Sequence, residues 1–195
     1  MKKLLFKEQA AGLSLVALLT LSACSGGALG RPRSSDNDTG DAASQASAKI
    51  DSTCGLANFR AEMLAQVNAR RAAGAVCGAV RMPAVGSLVW NTQLQHAATV
   101  HAVNMAATSV YSHTGSNGLT FHQRATAAGY AYSFLGENID AQRTSVQAAI
   151  NSWMGSPHHC ENIMRTQFRD IGVSCASNPA SQWGNYWSMK LGRRS

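Results

Sequence analysis

Apolar residues recur at helical spacing soon after residue 54, and this pattern gives the first predicted element. The residues that share one helical face are Leu56, Phe59, Met63, Leu64 and Val67. They predict a first helix that runs to about Ala72 and is ended by Gly74. A second helix is predicted from about Thr92 to Ser109, because Thr92 and Gln95 have the spacing of a capping box.

Three later segments begin with residues that favour helix N-termini. Thr120 and Thr144 open two of them, and Ser156 followed by Pro157 opens a third that runs to about Met164. Strands are predicted at 88–90, 132–140, 168–175 and 185–191. Short connections between the last strands favour antiparallel pairing. The order of elements predicts an α/β fold in which helices cover both faces of one sheet.

The first 23 residues have the order of an export signal. Three lysines in a short basic start precede the apolar segment Leu13 to Leu21, and small residues follow. Leu21-Ser22-Ala23-Cys24 resembles a bacterial lipobox, in which the cysteine becomes the first mature residue and is acylated. We therefore predict a lipoprotein signal peptide at 1–23 and lipidation of Cys24. Ordinary secretion with Cys24 as a free thiol is the alternative.

The segment 24–53 is rich in Ser, Asp, Ala and Gly, and it predicts a flexible tether between the acylated cysteine and a domain at 54–195. The longest apolar run, Ala10 to Leu21, has 12 residues, whereas a spanning helix needs about 20. Several acyl chains give stable membrane anchoring. Ser25 after the cysteine resembles the lipoproteins that enteric-type bacteria sort to the outer membrane. We therefore expect a cell-envelope lipoprotein in the outer membrane, on its periplasmic face or at the surface.

The predicted domain is basic, with 11 Lys and Arg residues against five acids. This balance favours anionic partners such as lipid head groups. The basic residues are scattered and form no stripe, and no RNA-binding motif is present, so we expect no nucleic-acid partner. We expect a monomer.

Four cysteines, Cys54, Cys77, Cys160 and Cys175, remain after Cys24 is set aside. In an exported chain this number suggests two disulfides, with three possible connectivities. Cys160–Cys175 is favoured because it closes a short loop, and it leaves Cys54–Cys77. That second bridge would have to return along a predicted helix about 24 Å long.

Two kinds of side chain are candidates for chemistry. Glu137 lies in an otherwise apolar strand, where a carboxylate needs a partner or shifts its pKa upward. His113 lies in a loop of small residues, and His158 and His159 lie in the first turn of a helix, where the dipole favours neutral imidazole. A buried structural acid and surface histidines are the alternatives. His101 is predicted to be a packed core imidazole.

A series of motifs along 54–192 resembles the bacterial branch of the CAP superfamily, which comprises cysteine-rich secretory proteins, antigen 5 and plant pathogenesis-related 1 proteins. The matching segments are Tyr111-Ser112-His113-Thr114, Arg124 to Tyr130, Gly136 to Ile139, Trp153 to Ile163, Ile171-Gly172-Val173 and Tyr186-Trp187. The order and spacing of the segments carry the resemblance. It implies a three-layer α-β-α sandwich with a mainly antiparallel central sheet.

The resemblance also implies a shallow cleft with two histidines and usually two acids, which binds zinc or magnesium in some members. The matching residues here are His113, Glu137 and His159, which we take as the catalytic or metal-binding set. The stretch 116–118, where many members carry the second acid, has none, and Glu161 is a possible substitute. The missing acid weakens the prediction of an acid/base pair.

Three functions follow, and the sequence does not decide whether the protein is an enzyme. The first is a lipid-anchored envelope protein whose cleft or neighbouring groove binds an apolar ligand, an envelope component or a partner. A fatty acid or sterol-like ligand is implied by lipid and sterol binding within the superfamily. The second is a zinc-dependent hydrolase of peptides or cell-wall material. The third is a structural or host-interaction protein that uses the aromatic residues around 183–187.

Overall fold

The structure, a computed structural model, describes residues 51–195, and these residues form an α/β fold. The predicted signal peptide, Cys24 and most of the predicted tether lie outside the described residues. The helices are α1 (Phe59–Ala73), α2 (Thr92–Thr108), α3 (Phe121–Ala127), α4 (Val146–Gly155) and α5 (Pro157–Met164). The strands are β1 (Ala75–Cys77), β2 (Val80–Met82), β3 (Val89–Trp90), β4 (Tyr132–Ala141), β5 (Asp170–Asn178) and β6 (Gly184–Arg194).

The central sheet has four strands in the order β3-β5-β6-β4. β6 pairs antiparallel with both β4 and β5, and the two-residue strand β3 pairs in parallel with β5. Thr53 adds an isolated parallel bridge to Cys175 of β5. The predicted mainly antiparallel sheet is therefore confirmed. β1 and β2 form a separate antiparallel hairpin that the sequence analysis did not predict.

Side chains that alternate along β5 and β6 build the two helical layers. On one face, Val173 and Met189 join a core with residues of α1, α4 and α5. On the other face, Ala176 and Tyr186 pack with Met105 of α2. The sheet is thus covered on both sides, as a three-layer sandwich requires.

The helix starts follow local capping chemistry, with two shifts from the prediction. Thr120 caps α3 in a full capping box with Gln123, as predicted. α2 is capped by Asn91 rather than Thr92, because the Asn91 side chain accepts a hydrogen bond from the Leu94 amide at 2.9 Å. α4 is capped by Ser145, one residue after the predicted start.

The disulfides join Cys54 to Cys175 and Cys77 to Cys160, so the preferred pairing Cys160–Cys175 with Cys54–Cys77 is wrong. The physical reason is that the segment before α1 lies along β5. The Cys175 amide donates to the Ser52 carbonyl at 2.9 Å, and the Cys54 amide donates to the Cys175 carbonyl at 3.2 Å. The 15-residue helix α1 then separates Cys54 from the hairpin that carries Cys77.

α2 approaches the sheet at Gly172 of β5. A Cβ atom there would lie 2.1 Å from the Gln95 backbone nitrogen and 2.4 Å from the Leu94 carbonyl carbon. Only glycine allows this contact between helix backbone and strand. The close packing fixes α2, and hence the loop that follows it, against the sheet.

β4 is an edge strand of the sheet, and side chains cover its outer edge. The Ile139 carbonyl accepts hydrogen bonds from the Tyr111 hydroxyl and the Trp153 indole nitrogen, each at 3.1 Å. Such cover satisfies backbone groups that an edge strand would otherwise present to another chain. It also brings the loop after α2 and the helix α4 to the same edge.

Candidate functional site

The candidate site is built around Glu137, which lies in β4 and is buried on the face of the sheet covered by α2. The strand pairing places Lys190 of β6 directly opposite Glu137. α3 supplies Arg124, and the loop between α2 and α3, residues 109–120, supplies His113. We call this segment the His113 loop.

Both carboxylate oxygens of Glu137 have partners. Oε1 lies 2.7 Å from Nδ1 of His113, and Oε2 accepts a hydrogen bond from Arg124 at 2.9 Å. The Lys190 ammonium also contacts Oε2 and donates to the Ser188 hydroxyl at 3.0 Å. The carboxylate that stood out in an apolar strand is therefore a buried acid held by two cationic groups and an imidazole.

The contact with Glu137 sets the tautomer of His113. An ionised carboxylate only accepts hydrogen bonds, so Nδ1 carries the proton and Nε2 keeps its lone pair. The His113 side chain is 53% exposed, which leaves the ring accessible to solvent. Burial, together with the positive charges of Lys190 and Arg124, lowers its pKa below the ordinary value. At neutral pH His113 thus offers a neutral nitrogen that can accept a proton.

Arg124 also holds the His113 loop in place. Its guanidinium donates to the His113 carbonyl at 2.8 Å and to the Leu119 carbonyl. Burial lowers its pKa to about 10, so it stays charged at neutral pH. Sequence reasoning quoted Arg124 only as part of a motif and assigned it no role.

Lys190 was missed altogether in the sequence analysis. The available signal was a lysine within the apolar segment 185–191 that was predicted as a strand. Burial and the nearby Arg124 lower the pKa of Lys190, while its contact with Glu137 favours the charged form. The contact between Lys190 and Glu137 depends on how β6 is aligned with β4, so it is recognised only once the register of these strands is known.

His159 lies on the other side of β4, in the first turn of α5. Its carbonyl accepts a hydrogen bond from the Asn138 side chain at 3.0 Å, and Asn162 donates to Asn138 at 3.0 Å. Burial and the charge of His113 lower the pKa of His159, and the charge of Asp140 opposes that shift. Within residues 51–195, no hydrogen bond or ion pair joins His159 or Glu161 to Glu137.

The zinc or magnesium ion implied by the resemblance fits this arrangement poorly. The oxygens of Glu137 are occupied by hydrogen-bond donors, and the positive charges of Arg124 and Lys190 oppose a second cation beside them. In the part of the chain that the structure describes, no three His, Cys, Asp or Glu side chains are grouped to hold a metal ion. His113 and His159 would be left as neutral ligands without a carboxylate.

An apolar groove of about 480 Å³ runs along the exposed side of α2. We call it the α2 groove. Its walls include Val100, Val103 and Ala107, and Asn117 of the His113 loop lines one side. A second depression of about 370 Å³ shares Val103 and Ala107 with it. The α2 groove thus adjoins the loop that carries His113.

Other proteins support the fold. A search of curated proteins finds no match. An extracellular protein with an SCP domain from Bacillus anthracis is 24% identical to this chain, with a TM-score of 0.50. The match covers 56% of this chain, and this chain spans only 35% of that protein's length. An outer surface protein from Borrelia burgdorferi is 18% identical with a TM-score of 0.55, over 69% of this chain and 94% of that one.

The family follows from a longer match. The model of the CAP family, described as the cysteine-rich secretory protein family, matches residues 64–191, which include β4, most of β6 and the whole His113 loop. None of the helices within 51–195 has the length and apolar character needed to cross a membrane. The order of motifs, the sandwich and this match agree, and the chain belongs to the cysteine-rich secretory protein (CAP) family.

Proposed function

We propose that this CAP-domain protein is anchored in the bacterial cell envelope through acylated Cys24 and binds an apolar envelope ligand in the α2 groove. The export signal and the lipobox at 21–24 support the anchor. The names of two structural neighbours, an extracellular protein and an outer surface protein, support a location outside the cytoplasm. We place the acylated protein specifically in the outer membrane.

The α2 groove is the observation that carries the ligand-binding proposal. Its volume of about 480 Å³ lies within the range of small-molecule sites, which are mostly apolar with a few polar groups. Val100 is 40% exposed there, a large apolar side chain left open to solvent on the side of α2 that faces away from the sheet. His96 and Asn117 add polar groups at the rim. An acyl chain or another elongated apolar group suits such a surface.

The loop beside the groove is held in position by polar contacts. Asn104 of α2 donates to the Ser116 hydroxyl at 2.8 Å and accepts from the Ser116 amide at 3.0 Å. A ligand in the groove would therefore lie against a fixed wall, which lowers the entropy cost of binding.

Binding is tested with a fluorescent twelve-carbon fatty acid as the probe. The protein is the full chain with Cys24→Ala, which prevents acylation and removes the need for detergent. We expect saturable binding, weakened at least tenfold by Val100→Glu because a charge then lies in the apolar groove. Val76→Glu is the matched control, since Val76 is 59% exposed on β1, away from the groove. Equal binding by both variants, or no saturable binding, contradicts the proposal.

The anchor is tested separately in the native cell. Wild-type protein is expected in the membrane fraction with the mass of an acylated N-terminal cysteine. Cys24→Ala should move the protein to the soluble envelope fraction. Unmodified wild-type protein in the soluble fraction would contradict the proposal of a lipid anchor. It would not bear on the proposal that the α2 groove binds a ligand.

Hydrolysis of peptides or cell-wall material is a second candidate, favoured by the hydrogen bond between His113 and Glu137. That bond leaves Nε2 of His113 able to take a proton from a water molecule that attacks a substrate carbonyl. The test is turnover of a peptide and a peptidoglycan substrate, with and without added Zn²⁺. Activity lost in His113→Ala but kept in His122→Ala, an exposed histidine of α3, would support it. Activity that His113→Ala leaves unchanged would refute it.

A further inference from the structure

We infer that Lys190 and Arg124 supply, beside Glu137, the positive charge that a metal ion would otherwise supply, so that the cleft excludes divalent cations. This inference does not depend on the α2 groove. It assigns Lys190 a role in specificity that the motifs did not indicate.

The carboxylate has little capacity left for a metal. Glu137 accepts from the His113 ring at Oε1 and from Arg124 and Lys190 at Oε2. A metal ion that took either oxygen would displace one of these donors. Displacing Arg124 or Lys190 would leave a positive group buried without its partner, which is costly.

The charge balance points the same way. Glu137 is a single negative group, and both of its cationic partners are almost completely buried. Because water screens buried charges weakly, a divalent ion held by His113 would be repelled by the remaining positive charge. The open nitrogen of His113 instead suits a ligand that donates a hydrogen bond, such as a hydroxyl group.

Lys190 can be separated from Arg124 in an experiment. Arg124 also holds the carbonyls of His113 and Leu119, so its removal would release the loop. Within residues 51–195 the Lys190 side chain hydrogen-bonds only Glu137 and Ser188. Lys190→Met keeps the length and apolar stem of the side chain and removes the charge. It leaves Glu137 in a neutral pair with Arg124.

The experiment is a titration with ZnCl₂ alone, followed through the histidine ring nitrogens by NMR on the full chain with Cys24→Ala. In wild type we expect no saturable shift of the His113 ring below about 1 mM Zn²⁺, with Nδ1 protonated throughout. Lys190→Met should bind Zn²⁺ at least tenfold more tightly, and adding His113→Ala should abolish the gain. Arg193→Met is the matched control, because it removes an exposed charge from the same strand and should not change the titration.

Each outcome decides the inference. Saturation of the wild-type His113 ring at micromolar Zn²⁺ would overturn it, and so would a zinc affinity measured at the His113 ring that is equal in wild type and folded Lys190→Met. Zinc binding that His113→Ala leaves unchanged belongs to exposed histidines and supports exclusion from the cleft. If Lys190→Met does not fold, the wild-type titration alone decides, since it measures the exclusion directly.

Discussion

Acidification tests the environment of His101, a fully buried histidine of α2 beside the site. Its Nε2 lies 3.9 Å from Oε1 of Glu137, and neither ring nitrogen makes a hydrogen bond of ordinary geometry in the part of the chain that the structure describes. Burial is the largest cause of its lowered pKa, and the positive charges of Lys190 and Arg124 add to it. The Ser112 backbone beside the ring partly opposes the lowering of its pKa. The pKa falls to about 3. His101 is therefore neutral in the native protein across the usual pH range.

The unfolded chain has no such environment, so His101 there regains a pKa of about 6.5. Between pH 6.5 and about 3, the unfolded state binds a proton that the native state does not bind. The free energy of unfolding therefore falls as the pH falls, by about 1.4 kcal/mol per pH unit within that window. The expected loss from His101 alone is about 3 kcal/mol between pH 7 and pH 4.

The assay is urea unfolding followed by tryptophan fluorescence at pH 7, 6, 5 and 4, in the full chain with Cys24→Ala and intact disulfides. His101→Leu removes the titrating group and should reduce the loss of stability between pH 7 and pH 4 by about 3 kcal/mol. His113 and His159 also have lowered pKa values, but they remain in the variant and cancel in the comparison. His96→Leu, on the exposed side of the same helix, should leave the profile unchanged.

An identical pH profile for wild type and His101→Leu would refute the reasoning. It would mean that the native state takes up the proton on His101 as readily as the unfolded chain does. At pH 7 the variant should be at least as stable as wild type, because it removes a buried polar ring that lacks partners. A large loss of stability at pH 7 would show that the ring makes a contact other than those described.

Three other changes test the fold and the site by urea unfolding at pH 7. Gly172→Ala should cost about 3 kcal/mol, because its Cβ would meet the α2 backbone; a cost below about 1 kcal/mol would show that α2 can shift. Glu137→Gln should cost about 3 to 5 kcal/mol, because it leaves Lys190 and Arg124 without their carboxylate, and a variant as stable as wild type would contradict that pairing. Cys54→Ala with Cys175→Ala opens a loop with a sequence separation of 121 and should cost about 4 to 5 kcal/mol; an unchanged midpoint would argue against this bridge.

The elements that the sequence predicted were those with strong local signals. Caps and apolar periodicity are set by neighbouring residues, so the starts of α3 and α5 are found at Thr120 and Ser156. The shift from Thr92 to Asn91 at α2 reflects competition between adjacent capping residues. The β1–β2 hairpin was not predicted because two strands of three residues carry too little alternation to be recognised.

The pairing of elements was harder to predict, because it depends on contacts between distant segments. Glu137 stood out as a carboxylate in an apolar strand, and that signal is local. Its partner Lys190 depends on the register of β4 against β6, which a single sequence does not give. The predicted disulfide pairing was wrong for the same reason. Loop length favoured Cys160–Cys175, whereas the path of the chain along β5 decides which sulfurs meet.

The position of β4 at the edge of the sheet decides how the two cleft histidines can act. Successive side chains of a strand point to opposite faces, so Glu137 holds His113 on the α2 side while Asn138 holds the His159 backbone on the α5 side. Glu137 therefore supports one imidazole and not the other. When His113 is protonated, its positive charge lowers the pKa of His159, so the two rings are electrostatically coupled in acid. A ligand that uses both histidines has to bridge the edge of β4, and substitution of Glu137 should change the tautomer of His113 while leaving that of His159 as it is.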